Sequence, residues 1–239
     1  MRVVSTSTAQ AFACAAADWI GAHLHHSPQP VLALPTGNTP LGLYAELIAR
    51  SNAGSLNLKT ARIFNLDEFI GVTRLDPHSY AAFLERHLFA PLQLDAAQIR
   101  LLQGDAADLQ AECRAYDLAI KKCGGIDLCI LGLGVNGHIG FNEPGSEWDT
   151  RTHVVQLSPA TRAAQKQDDS WNIPAWGITM GIKTMLEARR VLLLIAGDGK
   201  DAARRAFYGG TADRTWPVTS LLAHPDLTAI ELSATAPPP

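Results

Sequence analysis

A glycine-rich segment carries the side chains best suited to acid–base chemistry. Residues 132–145 read GLGVNGHIGFNEPG and place His138 between glycines, with Asn136 and Glu143 close by in the sequence. Histidine titrates near neutral pH, and a carboxylate partner can orient its ring and decide which nitrogen holds the proton. We therefore interpret His138 as a proton-transfer group supported by Asn136 and Glu143. The alternative is an ordinary packed or surface histidine.

The same segment also spells GxGxxG, the pattern of a dinucleotide-binding turn. That turn requires a helix that opens at the third glycine and an acidic residue about 20 residues later. Here the continuation HIGFNEPG contains glycines and a proline, so no helix is predicted to start there. The sequence therefore argues against a nicotinamide or flavin site.

A second segment with reactive side chains is FNLDEF, residues 64–69. A predicted apolar strand ends there at adjacent acids, Asp67 and Glu68. A partly desolvated carboxylate has a raised pKa and is a usable proton acceptor. Neighbouring residues of an extended segment point to opposite sides, so only one of these acids should face a ligand. The alternative is a solvated acidic turn.

Further segments could bind an anion. Residues 34–40, LPTGNTP, connect a predicted buried strand to a helix, where free backbone amides and small side chains suit a phosphate. The candidate contacts are Thr36, Gly37, Asn38 and Thr39. Residues 197–200, GDGK, also follow a strand, and the long stem of Lys200 could reach the same anion. The alternatives are a plain strand–helix turn capped by Thr39 and a solvent-facing lysine.

The elements that must position these segments follow from the hydrophobic pattern. Strands are predicted at residues 31–34, 61–66, 99–102, 126–133, 191–196 and 227–232. Helices are predicted at residues 11–24, 41–50, 79–89, 106–122, 178–188 and 201–208. Uniformly apolar strands alternating with helices predict an α/β fold of a single domain over residues 1–239. The expected sheet is mainly parallel, doubly wound and Rossmann-like, with helices on both faces. Ligands of such sheets bind beyond the carboxyl ends of the strands, where all the segments above lie.

The composition restricts the class of protein. Hydrophobic residues make up 47% of the 239 residues and charged residues 18%, which is typical of a globular chain. The formal charge of -3 predicts neither a nucleic-acid partner nor an anionic-membrane surface, so any bound anion must be held locally. No apolar run is long enough for a signal peptide or a membrane span, so we expect a cytoplasmic protein.

The cysteines give no indication of a metal site. Cys14, Cys113, Cys123 and Cys129 form no CxxC pair and have no nearby histidine at zinc-ligand spacing. We interpret them as reduced residues that pack as small hydrophobes, and no metal is expected.

Taken together, the segments resemble the glucosamine-6-phosphate deaminase family over residues 31–229. LPTGNTP is similar to the family's phosphate loop, NLDEF to its proton-abstracting segment and NGHIGFNEPG to its ring-opening segment. The family's relatives include galactosamine-6-phosphate deaminases and, more distantly, 6-phosphogluconolactonases. The lactonases follow the histidine with a different segment, without the FNEP that supplies Glu143 here.

The resemblance implies a role for each candidate residue. His138 would open the pyranose ring by proton transfer at the ring oxygen, held and tuned by Asn136 and Glu143. Asp67 would take the proton from C2 of the open-chain sugar and return it at C1. The amine would leave as ammonia and water would restore the carbonyl, giving a ketose phosphate. The implied partner is a small sugar phosphate, and no cofactor is implied.

The sequence departs from the family pattern at two places. Some members carry aspartate at the position of Asn136, so the neutral amide should lower the basicity of the histidine here. An arginine that contacts phosphate often follows the Thr161-Arg162 pair, whereas Lys166 and Gln167 are nearest in this chain. Loss of this forked donor should weaken bidentate phosphate recognition.

The sugar itself stays open at this point. Both branches of the family resemble the chain, and none of the identified motifs distinguishes glucosamine 6-phosphate from its C4 epimer galactosamine 6-phosphate. We place glucosamine 6-phosphate slightly ahead. Hydrolysis of a sugar-phosphate lactone and binding of a sugar phosphate without turnover are further alternatives. The chain ends soon after its last predicted strand, so the longer tail of hexameric, allosteric relatives is expected to be absent. A monomer or small homo-oligomer without effector control is therefore expected.

Overall fold

Strands and helices alternate through most of the chain. A computed structural model describes residues 1–24, 27–165 and 171–233. The strands are β1 (Arg2–Thr6), β2 (Val31–Leu34), β3 (Arg62–Asn65), β4 (Asp67–Phe69), β5 (Ile99–Arg100), β6 (Leu128–Gly132), β7 (His153–Gln156), β8 (Trp176–Thr179), β9 (Arg190–Ile195) and β10 (Leu227–Leu232). The α-helices are α1 (Ala9–Leu24), α2 (Leu41–Asn52), α3 (Tyr80–Leu84), α4 (Ala90–Leu92), α5 (Leu109–Lys122), α6 (Pro159–Ala164), α7 (Ile182–Leu186) and α8 (Asp201–Tyr208). A π-helical turn, Glu85–Phe89, joins α3 to α4, and 3₁₀ helices span Ala96–Gln98 and Pro217–Ala223.

The larger sheet has seven parallel strands in the order β1-β10-β9-β6-β2-β3-β5. From β2 the chain winds to β3 and β5 on one side, and then to β6, β9 and β10 on the other. The winding direction reverses between β2 and β6. In doubly wound sheets the crevice at this reversal, beyond the carboxyl ends of the strands, is where ligands bind.

The central strands contribute alternate residues to cores on the two faces of this sheet. Leu32 and Leu34 of β2 pack into the core that includes residues of α1 and α2. Val31 and Ala33 pack into the core that includes residues of α5, α7 and α8. Burial on both faces explains why these strands are apolar without alternation. The predicted doubly wound, mainly parallel sheet with helices on both faces is confirmed.

The sequence did not predict the second sheet, in which β4, β8 and β7 form an antiparallel arrangement in that order. The helix predicted over residues 178–188 is therefore wrong in its first part, because β8 occupies Trp176–Thr179 and α7 spans only Ile182–Leu186. Ile178 pairs with Glu68 on one side and Val154 on the other, so strand pairing overrides the helical spacing.

Other differences concern element boundaries and an edge. The predicted helix over residues 106–122 begins at Leu109, where the side chain of Asp108 caps it. The edge strand β1 was not predicted, since it is largely exposed and lacks an apolar run. In the described parts of the chain, no helix is both long and apolar enough to cross a bilayer.

Candidate functional site

A cavity of about 730 Å³ opens at the carboxyl ends of β2, β3, β6 and β9. It brings together candidate residues from all the segments that the sequence singled out. Its lining includes Thr36, Gly37, Asn38, Thr39, Asp67, His138 and Lys200. Asn136 and Glu143 do not line it, and hydrogen bonds connect Glu143 to Asn136 and Asn136 to the His138 ring. Asp67 and His138 therefore share one cleft, as the sequence interpretation requires.

Asp67 is placed by the passage of the chain from one sheet to the other. Leu66 separates the end of β3 from the start of β4, and Asp67 pairs with Thr179 in the small sheet. The Asp67 side chain lines the cavity although the residue is only 6% exposed. Burial raises the pKa of Asp67 well above its ordinary value, and the charge of Glu68 raises it further. The carboxylate is therefore a stronger proton acceptor than an exposed aspartate.

Glu68 faces away from the cavity, which confirms that only one of the adjacent acids is available to a ligand. Its carboxylate accepts hydrogen bonds from the backbone amides of Phe69 (2.9 Å), Tyr80 (3.0 Å) and Ala81 (2.9 Å). Burial raises the pKa of Glu68 to about 7 although these hydrogen bonds lower it. Glu68 thus joins β4 to the start of α3, whose Tyr80 and the following Phe83 line the cavity.

Asn65 anchors the backbone of Asp67 from inside the protein. The fully buried Asn65 amide donates from Nδ2 to the carbonyl oxygen of Asp67 over 2.7 Å. Its Oδ1 accepts from the backbone amide of Leu102 at 2.9 Å, and the Tyr116 hydroxyl donates to the Asn65 carbonyl oxygen at 2.5 Å. Sequence reasoning missed this network because Leu102 and Tyr116 lie 37 and 51 residues away along the chain.

A chain of hydrogen bonds leads from Glu143 to His138. The Glu143 carboxylate accepts from Asn136 Nδ2 at 2.8 Å and from the backbone amide of Ser158 at 3.0 Å. Asn136 Oδ1 in turn lies 2.7 Å from His138 Nδ1. An ionised carboxylate only accepts hydrogen bonds, so Asn136 must turn its nitrogen to Glu143 and its oxygen to His138. His138 therefore carries its proton on Nδ1 and keeps an unprotonated Nε2.

The surroundings of the His138 ring favour its neutral form. A Cβ atom at Gly134 would lie 2.3 Å from ring atom Cε1, so only glycine admits the ring at this position. Burial lowers the pKa of His138 to about 4, Lys200 lowers it as well, and Glu143 opposes this shift. Since burial is the largest cause of this shift, the expected effect of the neutral Asn136 amide on the basicity of His138 stays a prediction. At neutral pH the ring is a proton acceptor.

The loop before α2 and the first residue of that helix line one part of the cavity. Thr39 was expected to cap this helix, but Pro40 is the N-cap residue, and the described part of the chain provides no side-chain cap hydrogen bond there. Gly37 has a φ of +90°, a conformation that side-chain-bearing residues rarely adopt. The uncapped amides of a helix start attract anions.

Lys200 supplies a cation to the same cavity. Its Nζ donates to the carbonyl oxygen of Ala196 at 2.6 Å, which leaves further N–H groups for a ligand. Burial lowers the pKa of Lys200 to about 8. Lys166 and Gln167, the residues nearest to the position of the family's arginine, lie outside the described residues.

Arg86 and His87 also line the cavity, and the sequence interpretation did not include them. Both belong to the π-helical turn, a local irregularity that often marks functional sites. Within the described ranges, no salt bridge involves Arg86. Its guanidinium is therefore available to a ligand. The sequence alone could not place Arg86 in the cavity, because a hydrophobic pattern with helical periodicity does not reveal a π-turn.

Comparisons with known proteins identify the family of this chain. Residues 4–229 match the family model described as glucosamine-6-phosphate isomerases/6-phosphogluconolactonase. A glucosamine-6-phosphate deaminase of Lysinibacillus sphaericus (strain C3-41) is 40% identical over 232 residues, covering 96% of this chain and 98% of that protein. The corresponding enzyme of Geobacillus sp. (strain WCH70) is 38% identical, covering 96% of this chain and 92% of that protein.

Solved structures show the same fold. A structure described as a monomeric glucosamine-6-phosphate deaminase superposes with a TM-score of 0.93 at 35% identity and covers 98% of both chains. A 6-phosphogluconolactonase from Leishmania guyanensis has a TM-score of 0.79 at 19% identity, covering 98% of this chain and 96% of that one. This second likeness concerns the fold alone. The chain belongs to the family of glucosamine-6-phosphate isomerases and 6-phosphogluconolactonases.

Proposed function

We propose that this chain deaminates a hexosamine 6-phosphate, with glucosamine 6-phosphate as the substrate and fructose 6-phosphate and ammonia as products. The observation that carries the proposal is the placement of Asp67, His138 and the uncapped start of α2 around one cavity. The curated relatives named glucosamine-6-phosphate deaminase, at up to 40% identity over nearly the whole chain, support the same reaction.

His138 acts first, on the closed pyranose. Its neutral ring takes the proton of the anomeric hydroxyl at Nε2, and the protonated ring then donates to the ring oxygen. The bond between C1 and the ring oxygen breaks, and an open-chain aldehyde results. The low pKa of His138 suits the second half of this transfer, because the imidazolium formed is a strong acid.

Asp67 then acts on the open chain. Its carboxylate removes the proton from C2, and the electron pair forms a C1–C2 double bond as the aldehyde oxygen takes a proton from water. Return of the proton to C1 from Asp67 gives a protonated imine at C2. Water adds to this imine and ammonia leaves, so that the ketone is formed at C2. Each positioned proton transfer is typically worth about 10² to 10⁴ in rate.

The phosphate lies at the start of α2 in this proposal, with Lys200 as its cationic contact and Arg86 on the wall as a forked donor. Arg86 then replaces the arginine that the family often carries after the Thr161-Arg162 pair. A planar guanidinium suits a phosphate because it can donate two parallel hydrogen bonds.

Replacement of Lys200 by glutamine is expected to raise KM about tenfold or more and to change kcat much less, since the lost contact is to the non-reacting phosphate. In the unmodified protein kcat/KM should fall as pH rises through about 8, where the free Lys200 ammonium loses its proton. Steady-state kinetics from pH 6 to 9 would measure both effects. The exposed Lys59→Gln is the matched control, and an unchanged KM in the Lys200 variant would contradict this contact.

The reaction is tested by measuring ammonia release from glucosamine 6-phosphate and from galactosamine 6-phosphate with a coupled assay. We expect turnover of both or of the first alone, with a higher kcat/KM for glucosamine 6-phosphate. If the folded protein releases ammonia from neither sugar, the proposal is wrong. Hydrolysis of 6-phosphogluconolactone without ammonia release from the amino sugars would favour the lactonase branch instead.

The proposal extends to the oligomeric state. The relative with a TM-score of 0.93 is described as monomeric, which supports a monomer here as well. Light scattering of the purified protein measures this directly, and a dimer mass or larger would contradict it.

A further inference from the structure

Helix α6 contacts the His138 ring through a pair of hydroxyl groups that the proposed mechanism has not used. Ser158 is the N-cap of α6, and Thr161 lies in its first turn, fully buried. Thr161 Oγ1 is 3.1 Å from His138 Nδ1, and the Ser158 hydroxyl lies 3.1 Å from Thr161 Oγ1. Asn136 Nδ2 reaches the Ser158 oxygen at 3.3 Å. His138 Nδ1 thus has two oxygen neighbours, one from the glycine-rich turn and one from α6.

The direction of these hydrogen bonds follows from the carboxylate at the end of the network. Glu143 accepts from Asn136, so the Asn136 nitrogen has hydrogens for both Glu143 and the Ser158 oxygen. The Ser158 oxygen also accepts from the backbone amide of Thr161 at 3.1 Å. With both of its lone pairs used, Ser158 donates its hydroxyl hydrogen to Thr161 Oγ1. Thr161 then keeps a lone pair for the hydrogen on His138 Nδ1.

The network therefore consists of two chains of hydrogen bonds, which we call arms. Each arm ends in an oxygen atom that accepts a hydrogen bond from His138 Nδ1. One arm runs from Glu143 through Asn136, and the other runs from Asn136 through Ser158 and Thr161. We propose that the Ser158–Thr161 hydroxyl pair is a positioning element that holds the His138 proton on Nδ1 and keeps Nε2 free to accept a proton. Its effect on turnover rests on the proposed function, whereas its effect on the tautomer does not.

Thr161 is separable from the ordinary capping of α6. The cap uses the Ser158 oxygen and the Thr161 backbone amide, and neither involves the Thr161 hydroxyl. Removal of that hydroxyl alone consequently leaves the helix start intact and takes away one acceptor of Nδ1. At the other end of α6, Ala164 and the following Gln165 line the cavity. The helix that carries Ser158 and Thr161 therefore also forms part of the cavity wall.

The test compares Thr161→Val, which has nearly the same shape but no hydroxyl, with Thr161→Ser, which keeps the hydroxyl. Thr228→Val in β10 is the matched control, since Thr228 is also buried but does not line the cavity. The tautomer is read from ¹⁵N–¹H correlation spectra of the histidine rings, with the His138 signals assigned from a His138→Gln spectrum. Kinetics with glucosamine 6-phosphate are measured on the same samples.

We expect the Nδ1–H form in the unmodified protein and in Thr161→Ser, and a mixture with the Nε2–H form in Thr161→Val. Loss of one neutral hydrogen bond corresponds to a roughly threefold to tenfold fall in kcat/KM, with little change in KM. The Thr228→Val control should keep both properties. If Thr161→Val does not fold, Thr161→Ala carries the same prediction, because it also lacks the hydroxyl.

An unchanged tautomer in folded Thr161→Val or Thr161→Ala would overturn the proposal, as would an Nε2–H form in the unmodified protein. Failure of the proposed function would give a different combination of results. In that case the unmodified protein releases no ammonia, while the tautomer still shifts in the Thr161 variant and not in the Thr228 control.

Discussion

Replacement of Asp67 by asparagine is expected to lower kcat for glucosamine 6-phosphate by about 10³-fold, within the range that general bases contribute. The amide has almost the shape of the carboxylate, and Asp67 anchors β4 through its backbone rather than through its side chain. Substrate affinity should therefore stay within about threefold, because the change removes the proton acceptor and keeps the cavity. Isothermal titration calorimetry of the variant with the sugar phosphate measures this affinity directly.

The pH dependence gives a second, independent readout of Asp67. Because burial raises the pKa of Asp67, kcat/KM of the unmodified protein should fall on acidification at a pH well above the ordinary pKa of an aspartate. The base works only when it is ionised, so activity is lost as pH decreases through the raised pKa. Exchange of the C2 hydrogen with deuterated solvent should also disappear in Asp67→Asn.

The control for this substitution is Asp149→Asn, which makes the same chemical change at an exposed residue outside the cavity lining. It should alter kcat by less than about threefold, since an exposed charge contributes little to a distant reaction centre. Equal losses in both variants would contradict a specific role for Asp67. So would an Asp67→Asn variant that retains most of its turnover.

The parts of the fold that the sequence predicts are those determined by local pattern. The uninterrupted apolar run of β2 and the loop that follows it placed Thr36 to Thr39 at the carboxyl edge of a parallel sheet, where the structure has them. The same reasoning placed Asp67, His138 and Lys200 at that edge, because each lies in the segment that follows a strand of the larger sheet. Convergence on one cavity then follows from the parallel strand order.

Other features depend on contacts that no local pattern encodes. The strand β8 carries apolar residues at helical spacing and becomes a strand only because Ile178 is paired on both sides. Arg86 is placed in the cavity by a π-turn, which leaves no trace in a helical hydrophobic pattern. Tyr116 lies in a predicted helix and Thr161 in no predicted element, and their hydroxyl partners are 51 and 23 residues away. Long-range polar partners are therefore what sequence reasoning missed at this site.

Replacement of Glu143 by glutamine should reduce kcat by about 10² to 10³, although Glu143 does not line the cavity. The carboxylate accepts two hydrogen bonds from two donors, Asn136 Nδ2 and the Ser158 amide, and glutamine has only one acceptor oxygen. If glutamine turns its oxygen to Ser158, its NH₂ group faces Asn136, and Asn136 must rotate. Its nitrogen then points at His138 Nδ1, which becomes an acceptor.

That rotation moves the His138 proton to Nε2, so the ring loses the lone pair that takes the anomeric proton. A wrong histidine tautomer costs about 10⁴ in a serine-protease triad, and a smaller loss is expected here because the Thr161 hydroxyl still favours Nδ1–H. The exposed Glu147→Gln, which removes a surface ion pair with Arg214, is the matched control and should keep nearly full activity.

The same argument predicts a partial rescue. An aspartate in place of Asn136 has only oxygen atoms to turn toward His138, so it accepts from the Nδ1 proton whichever way its carboxylate rotates. The NH₂ group of glutamine at position 143 can then donate a hydrogen bond to this aspartate. The double variant Asn136→Asp, Glu143→Gln should therefore recover at least about tenfold of the kcat lost in Glu143→Gln, and its histidine spectrum should return to the Nδ1–H form. A double variant as slow as the single one, with His138 in the Nδ1–H form, would show that Glu143 acts by some route other than the tautomer of His138.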